Sequence, residues 1–176
     1  MLRLATPRLE LLPATAAVAR AAVADRDALA RLLDARVPAA WPPELMADHL
    51  EAFAHRVELD AGLAPWLPWY WVTRADRTLI GNGGFGSYPA PDGTGKVGYA
   101  LVAEHQGRGY ATEGLAALLE WAFSRPGLTR VVADTYPERA QSIRVLQKND
   151  FRYAGRGDDE GSIRYEITRS AWIVNG

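Results

Sequence analysis

Glu104-His105-Gln106-Gly107-Arg108-Gly109-Tyr110-Ala111-Thr112-Glu113 is the stretch around which the chain is organised. Just before it, Val97 to Val102 reads as a buried strand. Just after it, Leu115, Leu118, Leu119 and Ala122 recur with the spacing of one apolar helix face. A short glycine-bearing turn therefore joins a strand to a helix. The amides of Gly107 to Ala111 would point out of the first helical turn without intrahelical partners, and with the positive end of the helix dipole they form an anion site. Glycine there lets the backbone approach a phosphate that a Cβ would obstruct. The same tripeptide also serves as a plain tight turn. Two phosphate signatures are excluded: Thr112 stands where a dinucleotide fingerprint needs its third glycine, and no Gly-Lys-Ser/Thr closes the turn.

The chain has 176 residues, which fits one domain, residues 1–176, with a core of its own. Apolar residues make up 48% and charged residues 23%, ordinary globular values that argue against disorder. A net charge of −1 does not indicate a broad nucleic-acid surface. With no cysteine there is neither a disulfide framework nor a thiol nucleophile. His49, His55 and His105 lack metal-ligand spacing, so no metal is expected. No apolar run approaches a membrane span, and the N-terminus lacks the order of a signal peptide; the expectation is a cytoplasmic protein without membrane contact.

Outward from the turn, Arg8 to Leu12 alternates and ends at Pro13, a first strand. Thr15 can cap a helix to about Ala24, and Asp25 or Asp27 a second one. Pro38, Pro42 and Pro43 break the chain around Trp41, and a third helix follows from Glu44 to about Leu59. Trp69 to Val72 and Leu79 to Phe85 read as strands two and three, with a bulge expected where Asn82, Gly83 and Gly84 interrupt the latter. The aromatics between Trp66 and Trp71 are read as core rather than substrate site. Lys96 to Val102 is strand four and Arg130 to Thr135 strand five, parallel through a right-handed crossover. A helix starting at Arg139 or Ala140 and a closing hairpin, Phe151–Arg156 with Ser162–Thr168, complete the pattern.

Gln106-Gly107-Arg108-Gly109-Tyr110-Ala111 resembles the Gln/Arg-x-x-Gly-x-Gly/Ala loop of the GNAT acyl-CoA N-acyltransferase superfamily. Tyr110-Ala111-Thr112-Glu113, Thr6-Pro7-Arg8-Leu9-Glu10-Leu11 and Ser142 to Phe151 are similar to the branch that includes the ribosomal-protein N-terminal acetyltransferases. The resemblance implies an α+β fold in α/β/α layers: a mixed, mostly antiparallel bent sheet of about six to seven strands, with strands four and five parallel and splayed, and flanking helices. It implies acetyl transfer from acetyl-CoA to a primary amine of a small molecule or a protein or peptide N-terminus. The other reading is an acyl-CoA-binding sensor or interaction module with weak or lost catalysis. A homodimer is left open.

By the same resemblance the cofactor contacts are Leu101, Val102, Ala103, Gln106, Gly107, Arg108, Gly109, Tyr110, Ala111, Thr112, Arg139 and Ser142. A free N–H near Leu101 to Ala103 would act as oxyanion donor. Many relatives carry a thiolate-protonating tyrosine where this chain has Leu146; the branch has a serine one turn earlier, here Ser142, the candidate catalytic residue. As a plain reading Ser142 is a first-turn serine satisfying the backbone. Trp41 is a candidate wall of the amine pocket, or a loop residue pinned on the core. Three positions depart from the pattern: Arg139 where the branch has Asn, Asp150 before Phe151 where it has Gly, and Lys96 where strand four often opens with Glu. Lys96 is expected to face the cleft and to favour an anionic acceptor or a peptide α-amine.

Overall fold

The computed structural model describes residues 2–175, and its strands fall into two hydrogen-bonded groups that part at Val97. The first group, in spatial order, is β1 (Leu4–Ala5), β2 (Leu9–Leu12), β3 (Trp69–Thr73), β4 (Leu79–Gly84) and β6 (Gly98–Leu101), antiparallel throughout. The second is β5 (Thr94–Lys96), β7 (Arg130–Thr135), β9 (Ile163–Thr168) and β8 (Arg152–Arg156), in which β5 and β7 are the parallel pair.

The helices start where their caps predict. Thr15 Oγ1 accepts from the Val18 N–H to open α1 (Ala16–Ala24), and Asp25 Oδ1 accepts from the Ala28 N–H to open α2 (Arg26–Leu33). Then come α3 (Glu44–Ala47), α4 (Leu50–Leu59), α5 (Tyr110–Phe123), α6 (Ala140–Lys148) and α7 (Arg169–Asn175). No helix among the described residues is long and apolar enough to cross a membrane.

Side-chain alternation along the strands gives the first sheet two dry faces. One carries Leu9, Leu11, Trp69 and Trp71 and is covered by Leu115, Leu118, Leu119 and Ala122 of α5 and Leu146 of α6. The other carries Tyr70 and Val72 and is covered by α1, α2 and α4. All the residues of β3 are buried, so the aromatic run is core, as its reading required.

Three expectations on the elements are corrected, and two elements are added. Strand four is not continuous. Val97 N–H donates to Val132 C=O at 2.9 Å, the last link to β7, after which the chain turns to β4 and becomes β6. The third helix is broken between Ala47 and Leu50 into α3 and α4. The bulge lies at Ile80, where Trp71 faces Gly81 but Val72 faces Leu79, and not at the glycines. Finally, β1 and α7 were not anticipated.

Candidate active site

The divergence of β6 from β7 opens a cleft of about 920 Å³. Along a strand, N–H groups alternate between its two neighbours. Val102 N–H donates to Ile80 C=O at 2.9 Å, so the N–H groups of residues 98, 100 and 102 face β4. Val97 N–H donates to β7, so those of Tyr99 and Leu101 follow the same side, where β7 has already turned away. Of the three residues expected to offer an oxyanion donor, Val102 is therefore committed to Ile80, and Leu101 is the one whose N–H looks into the gap. Gln106 Nε2 donates to Leu101 C=O at 3.0 Å and ties the start of the glycine turn to this edge.

Two helices begin at the cleft. Gly107 has φ 72° and Gly109 φ 82°, a left-handed backbone that disfavours other residues and explains glycine at both. Nothing lies within 4 Å of a Cβ built on Gly107, so that side of the turn is open. The first helical bond of α5 runs from Glu113 N–H to Gly109 C=O at 3.1 Å, which leaves the Tyr110, Ala111 and Thr112 amides without intrahelical partners. At α6 the first such bond is Ile143 N–H to Arg139 C=O. Neither helix has a side-chain cap, and both positive ends line the cleft. Arg139, Arg144 and Lys148 add cations to the same wall.

Most of the expected cofactor contacts meet here: Leu101, Gln106, Gly107, Gly109, Tyr110, Ala111, Thr112, Arg139 and Ser142 line the cleft. Val102, Ala103 and Arg108 do not; the Arg108 carbonyl instead accepts from Arg8 Nη1 at 2.8 Å. Trp41 is buried in the second core, 5.6 Å from the Tyr70 ring, and is not part of the cleft wall. Pro43, and then Glu44 and Leu45 of α3, line the cleft instead.

Lys96 also falls outside the wall. Its Nζ stands 2.8 Å from Asp134 Oδ2 and 2.8 Å from Asp158 Oδ2, while Arg164 bonds both oxygens of Asp134 and Oδ1 of Asp158. Burial raises Asp134, but the hydrogen bonds from Arg164 and Lys96 outweigh it and hold the carboxyl well below the usual range. Burial lowers Lys96, and the two carboxylates more than offset it.

Tyr99 was missed in the sequence. It lines the cleft, stacks on Trp71 with centroids 6.4 Å apart, and donates from its phenol to the Ser142 carbonyl at 3.4 Å. Burial pushes its phenol up to about 12. A tyrosine alternating with Val97 and Leu101 on one strand face is a signal that could have found it.

A family model described as an acetyltransferase (GNAT) domain matches residues 8–152. An uncharacterized N-acetyltransferase p20 of Bacillus licheniformis is 32% identical over 84 residues, 48% of this chain and 47% of that protein; the chain thus matches about half the length of this relative. The ribosomal-protein-S5-alanine acetyltransferase of Vibrio fischeri superposes with a TM-score of 0.68 at 21% identity, covering 98% of this chain and 99% of that one. The microcin C7 self-immunity acetyltransferase MccE, solved with acetyl-CoA and AMP, gives 0.63 at 16% identity over 93% of each chain. At these identities the structural likeness is one of fold. The family match itself runs from the first residues of the β2 hairpin to the start of β8, and on that match the chain belongs to the GNAT acetyltransferase family.

Proposed function

We propose that the chain is an acetyl-CoA-dependent N-acetyltransferase acting on a primary amine of a small molecule or a peptide or protein N-terminus. The observation that carries this reading is the open edge of β6, where the Leu101 and Tyr99 N–H groups face a cleft beside two uncapped helix N-termini. That combination suits a long ligand with a polyanionic end and a carbonyl to be polarised. Acetyl-CoA, when bound, supplies an activated acetyl thioester.

The chain's own groups divide the remaining work. The amides of Tyr110, Ala111 and Thr112 hold phosphate oxygens, helped by Arg139, Arg144 and Lys148. Leu101 N–H is placed to donate where negative charge develops on the thioester oxygen. Ser142, in the first turn of α6, supplies a hydroxyl to the leaving sulfur. Tyr99, held protonated by its burial, acts as a hydrogen-bond donor and not as a base. The test is an acceptor screen with acetyl-CoA, reading thiol release. Amine-dependent release supports the transferase. Tight acetyl-CoA binding with no acceleration by any amine would overturn it and favour a sensor or interaction module.

A further inference from the structure

The cleft passes through the sheet, and its two mouths differ in charge. Trp71 stacks on Tyr99, and α5 packs on Trp71, so this mouth is the α5–α6 side with its amides and cations. Tyr70 points to the other face, as do its register partner Asn82 and, beyond it, Ala100, which lines the cleft. There the wall is α3, held against β6 between Trp41 and α4, both of the second core.

Three carboxylates line the cleft: Glu44, Asp134 and Glu138. Asp134 is engaged by Lys96 and Arg164. Glu138 directly precedes Arg139 at the start of α6, on the cationic side. Glu44 is exposed and has no ion-pair partner among the described residues. Its neighbour Leu45 is 54% exposed, an apolar surface at the same mouth.

We propose that Glu44 is the specificity-determining residue of the acceptor side, and that the acceptor is an amine carrying net positive charge on a short apolar body. This rests on the transferase reading above. The acyl donor is anionic and meets the cations of α6; an alkyl ammonium, charged at neutral pH, meets a carboxylate on the opposite mouth. Leu45 and Pro43 receive the carbon chain beside it. Lys96 does not oppose this, because Lys96, Arg164, Asp134 and Asp158 form a group of two cations and two anions.

The test uses three probes that share a five-carbon chain and a primary amine: diaminopentane, pentylamine and aminopentanoate. Each is titrated calorimetrically into CoA-saturated protein, and each is offered as acceptor in the thiol-release assay. Wild type is expected to bind the diamine about fivefold more tightly than pentylamine and to bind aminopentanoate least, a step suited to a solvent-facing charge pair. Glu44→Gln should level the series and Glu44→Lys should invert it, with CoA affinity unchanged in both. Charge-ranked binding without thiol release in wild type supports the role of Glu44 and sinks the transferase reading. Thiol release with the same ranking in wild type and both variants keeps the transferase and overturns the role of Glu44. A wild type blind to acceptor charge in both assays overturns it as well.

Discussion

Gly114 lies inside α5, where helix propensity alone predicts that alanine would stabilise by about 1 kcal/mol. The structure predicts the opposite sign. A Cβ built on Gly114 would sit 2.6 Å from Cζ3, 2.7 Å from Cη2 and 2.8 Å from Cε3 of Trp71. That indole is fully buried and stacked on Tyr99, so it has little room to yield. Relief requires α5 to rise by about 1 Å, an overpacking cost of about 1–3 kcal/mol. Crediting alanine with its propensity leaves Gly114→Ala destabilising by about 1 kcal/mol, or a Tm lower by about 2–4 °C for a chain of this size. The same displacement carries the Tyr110 to Thr112 amides with it, so acetyl-CoA binding should weaken more than stability does. Thermal melts and calorimetry on the same preparation decide the matter. A variant with raised Tm and unchanged affinity would show that propensity wins and that the contact with Trp71 does not set the height of the helix.

Arg8→Ala should weaken acetyl-CoA binding about threefold, because it loosens the Glu113 carboxylate that Arg8 and Thr6 hold beside the anion site; Arg8→Ala with Glu113→Gln should recover most of the loss. If the double variant binds no better than the single one, the charge account fails. Ser142→Ala should lower kcat about a hundredfold at nearly constant acetyl-CoA affinity, and Tyr99→Phe about tenfold; unchanged kcat in a folded Ser142→Ala would reduce that serine to a helix-end residue. For pH, the folded Asp134 carboxyl lies below the ordinary 3.8, so its stabilisation is present above that value and is lost as pH falls through the folded one. Urea midpoints should therefore drop below about pH 4, less steeply in Asp134→Asn; identical acid limbs would remove Asp134 from the account.

The legible parts of the fold are those that local pattern determines. Leu115 to Ala122 on α5, the cap at Thr15 and the alternation of β2 needed no partner to be read. The parting of β5 and β6 had no such trace. Lys96 to Val102 is one strand-like run, and what divides it is the choice of partner: Val97 donates to β7, whereas Val102 donates to β4. Side-chain periodicity does not encode which neighbour takes a backbone N–H. The glycine turn was legible because positive φ demands glycine at 107 and 109. Glu44 was not, since its place at the cleft depends on the break that ends α3 at Ala47 and on the packing of that short helix against β6.

Lys96 shows why a charge read on a strand does not by itself give the charge of a site. In sequence it is a cation where the resemblance implies a carboxylate, and the direct conclusion is an acceptor of opposite preference. Its two partners are remote: Asp134 comes from β7 and Asp158 from the turn between β8 and β9, and Arg164 joins them from β9. The lysine thus exchanges its effect on a substrate for a clasp between the end of β5 and the closing hairpin. Reversing it to glutamate would set three carboxylates around one guanidinium, a cost borne by the hairpin and not a change of substrate preference. Once the cluster is balanced, the charges left at the cleft are Glu138 and the cations at α6, and Glu44 on α3. Acceptor preference should then follow Glu44, the one member of that set on the side away from the phosphate amides.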